Sequence, residues 1–354
     1  ARYLLELNAA LRRSVSSRWA RAHGRWSTSD GLIQVAPGTT AALARHRLRS
    51  RPYSLSALQR YATCPYQFLL GAIHRVQAWD EPQAVVRMDP LTRGSLFHSA
   101  QAQFFRALQA SGALPVTTAT LPAAIHTLHA ALDEVAAVYA ERLAPAIERV
   151  WDDEIDEIRR DLRIWVERLA ADTTWTPEYF EFSFGLNDTG RDPRSLPEPV
   201  TLDSGFQLRG SVDLIERRRD GTGLRVTDHK TGKNRSTPQL LVGGGTVLQP
   251  VLYSLAVEQG LGEPVEVGRL SYCTTAGGFA VHPIPIDGEA RARGLEVLAI
   301  IDRAIELGRL PAAPMPDACR WCDYRRVCGP DEARRVANKP GALLADLDAL
   351  RAMP

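Results

Sequence analysis

The chain of 354 residues is long enough to bury a large core, and its 45% hydrophobic and 24% charged residues are typical of a globular protein. Its apolar stretches are shorter than a membrane span and its first residues lack the apolar centre of a signal peptide, which argues against a membrane partner and predicts a cytoplasmic protein. The net charge is +2, yet residues 1–52 hold ten arginines against two acidic residues, an excess that suits either a polyanion such as nucleic acid or a solvated helix.

The first half of the chain is predicted to be helical. Apolar residues at three- and four-residue spacing predict helices over residues 2–22, 54–64, 90–110 and, interrupted at Pro145, 121–171. Ser54 or Ser56 is the expected N-cap of the second helix, and Pro90 opens the third. Residues 29–40 are predicted to form a loop.

The second half changes to an alternating pattern that is typical of strands. Strands are expected over residues 178–186, 205–218, 223–230, 265–275 and 278–286. A tight turn over 219–223 would join the second and third strands as a hairpin, and the last two strands would form another. Helices are expected over 248–259 and 290–308. Strands mixed with helices in this way indicate an α/β or α+β domain that carries a large helical insertion, over about 111–176.

Two aspartates and a lysine lie near the ends of the predicted hairpin strands. Asp213 is near the end of the first strand, and Asp228 and Lys230 are two positions apart on the next, so they project to one face of it. Carboxylates are hard oxygen ligands for Mg²⁺, which can polarise a phosphoryl oxygen and lower the pKa of a bound water. A lysine beside them can orient that water or lose a proton, which an arginine does poorly. The same residues could also form a surface ion pair.

Four short motifs resemble those of the RecB family of PD-(D/E)xK nucleases. They are GSLFH at 94–98, GSVD at 210–213, DHKTGK at 228–233 and QPVLY at 249–253, which resemble the G-x-x-x-H, G-x-x-D, D-x-K and Q-x-x-x-Y motifs. Their order, over roughly residues 26–340, is most similar to the C-terminal nuclease domain of AddB-type helicase–nuclease subunits. The resemblance implies a restriction-endonuclease-like core with a mixed central β-sheet flanked by helices.

The resemblance also implies roles for individual residues. His98, Asp213, Asp228 and the backbone carbonyl of His229 would hold Mg²⁺ or Mn²⁺, and Lys230 would align or deprotonate the attacking water. The residues implied to support this site or to line a DNA channel are Glu181, Gln249 and Tyr253. Lys233 is expected to contact phosphate.

Four of the five cysteines form a second candidate metal site. Cys319, Cys322 and Cys328 have the spacing C-x2-C-x5-C, and Cys64 lies far upstream. Intracellular thiols in this pattern indicate either zinc or a 4Fe-4S cluster. In the AddB-type nucleases that this chain resembles, one cysteine before the domain and three after it hold a 4Fe-4S cluster, so the resemblance implies a structural iron–sulfur cluster that staples the two ends. Cys273, inside a predicted strand, is expected to be a buried apolar residue.

The predicted organisation is an Arg-rich leading segment over residues 1–52 that connects to a missing N-terminal region, a nuclease domain over 53–340 and a tail helix over 341–354. The resemblance implies a nucleoid-associated, Mg²⁺- or Mn²⁺-dependent deoxyribonuclease that processes DNA double-strand ends for recombinational repair. It would act on a single strand delivered by a helicase subunit or helicase domain. Two alternatives stay open: a free-standing iron–sulfur nuclease like those of CRISPR adaptation, and a DNA-binding module whose nuclease site no longer works.

Overall fold

A mixed β-sheet flanked by helices runs through the computed structural model, which describes residues 9–23, 33, 36–77, 84–236, 240–328, 336–337 and 339–354. The strands are β1 (Tyr53–Ser54), β2 (Trp175–Phe184), β3 (Val200–Thr201), β4 (Gln207–Arg218), β5 (Leu224–Lys230), β6 (Val265–Tyr272) and β7 (Val281–Pro285). The helices are α1 (Ala9–Ala22), α2 (Pro37–Ala44), α3 (Leu55–Thr63), α4 (Pro65–Phe68), α5 (Pro90–Ala110), α6 (Leu121–Leu143), α7 (Glu148–Ala171), α8 (Gln249–Leu261), α9 (Gly288–Glu306), α10 (Arg325–Cys328) and α11 (Gly341–Arg351). A short π-helix, Leu69–Ile73, continues α4.

The sheet is organised around β4, its longest strand. The first residues of β4 pair in parallel with β1 and antiparallel with β3. The later residues pair antiparallel with β2 and β5, and a parallel β5–β6 pair leads to the antiparallel hairpin β6–β7. Because β5 lies between β4 and β6, it is buried along its whole length except at Lys230. Its last residues therefore reach the border between the core and solvent.

Two hydrophobic cores flank the sheet. One joins α5, α6 and α7 to Phe180 of β2 and Leu214 of β4, with the Phe105 and Phe180 rings stacked at 4.8 Å between centroids. The other joins α3, α8, α9 and α11 to the remainder of the sheet, and Leu347 and Leu350 of α11 are buried in it. Within the described ranges no helix is long and apolar enough to cross a lipid bilayer.

A buried group of charged side chains joins the three central strands. The carboxylate of Glu216 on β4 lies 2.6 Å from Arg225 on β5 and 2.9 Å from Arg269 on β6, and it accepts a 2.8 Å hydrogen bond from Thr227. Burial alone would raise the pKa of Glu216, but the two guanidinium groups outweigh burial and lower that pKa to about 2. Because removing one partner would leave an uncompensated buried charge, this network holds β4, β5 and β6 in one alignment.

The end of the Arg-rich segment packs against α9. Arg47 lies 2.5 Å from Asp302 and also pairs with Glu306, and the backbone N–H of Leu48 donates a 2.8 Å hydrogen bond to Asp302. Leu48 is fully buried. These contacts tie the residues just before β1 to the main core.

Most of the predicted helices and strands are confirmed within a few residues. Both predicted hairpins, β4–β5 and β6–β7, are antiparallel, and the long helical region is divided into α6 and α7 around Pro145. Ser54 is the N-cap of α3, where its hydroxyl accepts a hydrogen bond from the N–H of Ala57. The described part of the predicted helix 2–22 is α1, and residues 1–8 lie outside the described residues.

The predicted loop over residues 29–40 is wrong at its end, where α2 begins. Pro37 supplies a φ suited to the first helical turn, and the Thr39 hydroxyl accepts a 2.7 Å hydrogen bond from the N–H of Ala36. Residues 29–32 and 34–35 of this loop lie outside the described residues. The other elements that the sequence did not predict, β1, β3, α4, α10 and the π-helix, are too short to show a hydrophobic period.

Candidate metal centre

A cleft of about 900 Å³ opens beside the middle of β4 and the end of β5, so Asp213 lies in the middle of its strand and not near its end, as the sequence suggested. Helices α5 and α6, the segment 189–191 and the strands themselves form its walls. His98, Asp213, Asp228 and Lys230 all line this cleft. The structure thus brings into one cavity the four side chains that the sequence suggested for a single catalytic site.

The tightest ligand group in the cleft consists of His98, Asp213 and His229. His98 Nδ1 lies 3.4 Å from one carboxylate oxygen of Asp213, and the other accepts a 2.6 Å hydrogen bond from the backbone N–H of His229. One ligand atom from each of the three side chains lies within 4.8 Å of the other two. Two imidazoles and a carboxylate are a suitable donor set for a divalent metal ion, and the nitrogen donors favour Mn²⁺ over Mg²⁺.

Gly94 allows α5 to approach the end of β5. A Cβ at this position would lie 3.2 Å from Oγ1 of Thr231, the residue that follows β5. His98 is one helical turn further along α5, on the same face as Gly94. The glycine of the GSLFH motif therefore permits the close approach that brings the imidazole of His98 to the carboxylate of Asp213.

The side chain of His229 is a candidate metal ligand that the sequence did not suggest, since only the backbone carbonyl of this residue was expected to contact the metal. The His229 ring packs edge-on against Trp165 of α7, at 5.8 Å between centroids, and lies 6.3 Å from the His98 ring. Burial lowers the pKa of His229 to about 3, so its imidazole is neutral and able to bind a metal. Because side chains alternate along a strand, the His229 side chain is on the other face of β5 from Asp228 and Lys230. The D-x-K motif names only the residues of one face and therefore does not indicate it.

Asp228 and Lys230 form an ion pair in the same cleft. Lys230 Nζ lies 2.6 Å from Oδ2 of Asp228, but within the described part of the chain this buried oxygen accepts no well-oriented hydrogen bond. Burial raises the pKa of Asp228 to about 6, although Lys230 acts in the opposite direction. A buried carboxylate oxygen that contacts only an ammonium group still fits a metal ligand. Asp228 nevertheless lies outside the 4.8 Å group of His98, Asp213 and His229.

Lys230 is held in its charged form. Burial opposes the charge of the ammonium group, but the Asp228 carboxylate outweighs burial and raises the pKa of Lys230 above its ordinary value. An ammonium group can orient a water molecule but cannot accept a proton from it. The electrostatics therefore favour alignment over deprotonation of water, the two roles that the sequence suggested for this residue.

His98 and Asp213 shift each other's pKa in opposite directions. Burial disfavours the charged form of both residues, but their mutual attraction is stronger, so the pKa of His98 rises to about 9 and that of Asp213 falls below its ordinary value. The imidazolium of His98 thus acts as the counterion of the buried carboxylate. A divalent ion bound between the two side chains would take the place of that proton.

Glu181 lies beside the candidate metal ligands, and its backbone has a strained conformation. Its φ of 55° is in the left-handed region, which is costly for a residue other than glycine and is often found at functional sites. Its carboxylate accepts hydrogen bonds of 2.6 Å from Arg191 and 3.1 Å from Ser211. Burial and the nearby Asp213 raise the pKa of Glu181. Glu181 therefore supports the cleft from β2 without joining the group of metal ligands.

The other residues suggested for a DNA channel are placed in different surroundings. Tyr253 lines the cleft, and a Cβ at Gly210 would lie 2.7 Å from Cε1 of its ring, so the glycine of GSVD makes room for the phenol. Gln249 instead accepts a 2.9 Å hydrogen bond from Gln59 of α3. Lys233 is exposed in the segment after β5. As the structure describes the cleft, neither Gln249 nor Lys233 lines it.

Cys64, Cys319, Cys322 and Cys328 line one small cavity between α4 and the C-terminal segment. Cys64 is buried, and burial raises the pKa of its thiol. The cysteines do not form a tight ligand group, since among the described residues no three of their sulfur atoms lie within 4.8 Å of one another. Cys273 is fully buried, as expected of an apolar residue.

Imidazoles, carboxylates and a lysine gathered in one cleft are the groups that a metal-dependent hydrolase uses. A family model described as the PD-(D/E)XK nuclease superfamily matches residues 52–329. The match covers most of the chain, and the protein belongs to this superfamily, whose members are generally metal-dependent nucleases. A search of curated proteins finds no match.

Proposed function

We propose that the protein is a Mg²⁺- or Mn²⁺-dependent deoxyribonuclease that hydrolyses phosphodiester bonds in a single strand of DNA. The observation that carries this proposal is the gathering of His98, Asp213 and His229 within 4.8 Å of one another, in the cleft that also holds the Asp228–Lys230 ion pair. Membership of the PD-(D/E)XK superfamily supports the same general activity.

His98, Asp213 and Asp228 would hold the metal ion, with His229 adding its imidazole or its backbone carbonyl. The bound ion would polarise a phosphoryl oxygen and lower the pKa of a bound water. Lys230, kept as an ammonium group by Asp228, orients the attacking water and places a compact positive charge near the phosphate. An arginine would present a planar, fixed fork of donors in its place, which suits a bidentate partner and not a single water.

A single strand is the substrate that the walls of the cleft favour. Arg106, Arg142 and Arg191 come from three different elements and line the cleft. Basic side chains suit the phosphates of a single strand. Because α6 forms a wall of the cleft beside the candidate metal ligands, we propose that one DNA strand enters the cleft without its complement.

We further propose that this strand comes from a DNA double-strand end and is delivered by a helicase subunit or helicase domain, in recombinational repair at the nucleoid. The support for this context is the likeness of the GSLFH, GSVD, DHKTGK and QPVLY motifs, in that order, to AddB-type subunits.

Cleavage of single-stranded DNA in the presence of Mn²⁺ tests the nuclease proposal. Asp228→Ala should lower the initial rate by about 100-fold or more, because it removes both a candidate ligand and the partner of Lys230. Asp152→Ala, at an exposed position on α7, is the matched control and should cleave like the wild type. Equal rates for Asp228→Ala and the wild type would refute the enzyme proposal and favour the DNA-binding module.

We also propose that Cys64, Cys319, Cys322 and Cys328 hold a structural 4Fe-4S cluster. Their shared cavity supports a common ligand, and no three of these sulfur atoms, as the structure describes them, lie within 4.8 Å of one another, whereas roughly 3.8 Å is expected between sulfur atoms on one tetrahedral zinc ion. After anaerobic purification, the wild type should be coloured and contain about four iron atoms per chain. Cys64→Ser should lose iron and unfold at a lower temperature, whereas a colourless protein with stoichiometric zinc would refute the cluster.

A further inference from the structure

A second groove, of about 390 Å³, lies where α3, the π-helix and the C-terminal cysteine segment meet β4. Arg60, Arg75 and Arg209 line it, together with Tyr324. Among the described residues that line it, Asp323 is the one acidic side chain. This arginine groove, defined by Arg60, Arg75 and Arg209, thus has a strong excess of positive charge.

Four arginines line the groove. Arg51 donates a 3.1 Å hydrogen bond to the carbonyl of Ala72, whereas none of the side chains of Arg60, Arg75 and Arg209 forms an ion pair or a hydrogen bond within the part of the chain that the structure describes. Other arginines of the protein are well paired: Arg217, for example, lies 2.6 Å from both Glu178 and Glu263. Guanidinium groups that line one concave surface repel one another, so their arrangement becomes favourable when an anion binds between them.

The backbone around the arginine groove is fixed in an unusual conformation. Arg75 has a φ of 56°, in the left-handed region, and Tyr324 holds the next residue by donating a 3.0 Å hydrogen bond to the carbonyl of Val76. A Cβ at Gly71 would lie 2.6 Å from the Tyr324 hydroxyl and 2.8 Å from Nη1 of Arg60. A strained residue that is held in place by its surroundings suggests a functional role for its side chain.

The arginine groove and the cleft that contains His98, Asp213 and His229, here called the metal cleft, lie along the same stretch of β4. Arg209 precedes Ser211 by two residues, both face away from the buried positions of this part of the strand, and Ser211 lines the metal cleft. Asp213 is four positions after Arg209 on the strand, which corresponds to about 13 Å at a rise of about 3.3 Å per residue. Neighbouring phosphates of one strand are about 3.4 Å apart along the axis of B-DNA, so about four nucleotides or fewer would cover this distance.

We propose that the arginine groove is a second phosphate-binding subsite for the DNA strand that is cut in the metal cleft. The inference rests on the proposed nuclease function and adds the path of the strand: its backbone follows β4, with phosphates against Arg60, Arg75 and Arg209 about four nucleotides or fewer from the cut bond. These arginines neutralise phosphates and read no base edges, so the subsite increases affinity for any sequence.

Binding measured without divalent metal tests the subsite independently of cleavage. Fluorescence anisotropy of a labelled oligothymidylate of about 20 nucleotides gives the affinity over a range of salt concentrations. The slope of the logarithm of the association constant against the logarithm of the salt concentration is negative. Each lost contact to a single-strand phosphate should make this slope about 0.7 less steep, which weakens binding about fivefold at about 0.1 M salt. A triple variant with Gln in place of Arg60, Arg75 and Arg209 should have a slope about 2 less steep than that of the wild type. A triple variant with Lys at the same three positions should have the wild-type slope.

A matched control and a second readout make the result decisive. Arg160→Gln, at an exposed position on α7 outside both cavities, should leave the slope unchanged. With Mn²⁺ present, the triple Gln variant should show a lower kcat/KM on the long oligonucleotide and an unchanged kcat/KM on a dinucleotide, whose single phosphate is the one that is cut. An unchanged salt slope for the triple variant would overturn the subsite. A wild type that binds DNA with the expected slopes but does not cleave would instead defeat the nuclease function.

Discussion

Replacing Gly210 by alanine tests whether the GSVD and QPVLY motifs form one packed unit. The new Cβ would lie 2.7 Å from Cε1 and 2.9 Å from the hydroxyl of Tyr253, and that ring also packs edge-on against Phe184 at 6.0 Å between centroids. Overpacking of this kind costs about 1–3 kcal/mol, and the advantage of alanine over glycine in a strand offsets about 0.5–1 kcal/mol. We therefore expect the free energy of unfolding to fall by up to about 2.5 kcal/mol.

Urea denaturation of Gly210→Ala beside Gly288→Ala measures this effect. A Cβ at Gly288, at the start of α9, would meet no atom within 4 Å, so alanine there should stabilise the protein by up to about 1 kcal/mol. DNA cleavage by Gly210→Ala should also fall, because Tyr253 lines the metal cleft and must move. In a background of Tyr253→Ala the same glycine substitution should cost less, since the clashing ring is gone. A Gly210→Ala protein as stable as Gly288→Ala would refute this account of the motif.

Three further predictions concern the metal cleft and the sheet beneath it. Lys230→Arg should lower the cleavage rate at least about tenfold, because a planar guanidinium cannot orient a single water as an ammonium group does, while the urea midpoint stays close to that of the wild type. His229→Ala should weaken Mn²⁺ binding, measured by titration calorimetry, at least about tenfold; an unchanged affinity would exclude its imidazole as a ligand. The Glu216 carboxylate has a pKa lowered from 4.5 to about 2, so it should contribute about 3 kcal/mol of stability above about pH 4.5 that is lost as the pH falls toward 2. Urea titrations from pH 6 to pH 3 should show this loss in the wild type and not in Glu216→Gln, which should already be less stable at pH 6 by about 3–5 kcal/mol.

The sequence predicts those parts of the protein whose signals are local. The helix that carries His98 is visible from its apolar spacing and from Pro90 at its first position, and the strands that carry Asp213 and Asp228 are visible from alternation and from the turn between them. The order of short motifs then indicates the nuclease family, because it names residue types on these same elements.

The sequence does not show which side chains meet across the fold. Gln249 pairs with Gln59, which is 190 positions away, and Arg209 stands opposite Ser54 because the two-residue strand β1 pairs with β4. Such contacts depend on how α3 and β1 pack against the sheet, and a two-residue strand has no detectable period. The same limit applies to His229, whose role depends on the approach of α5 and α7 to one side of β5.

The opening of the β4–β5 ladder explains why the ligands gather where they do. The paired residues run from Arg217–Leu224 to Leu214–Thr227, and the next residue of β4 toward the cleft is Asp213. Beyond this point the backbone N–H of His229 donates to the carboxylate of Asp213, at 2.6 Å, in place of a carbonyl on β4. A buried N–H must find an acceptor, and a charged one forms a strong hydrogen bond, so the carboxylate compensates for the lost pairing. Because the strands separate here, His98 can approach Asp213 from α5, and the ligand group forms at the gap between the strands.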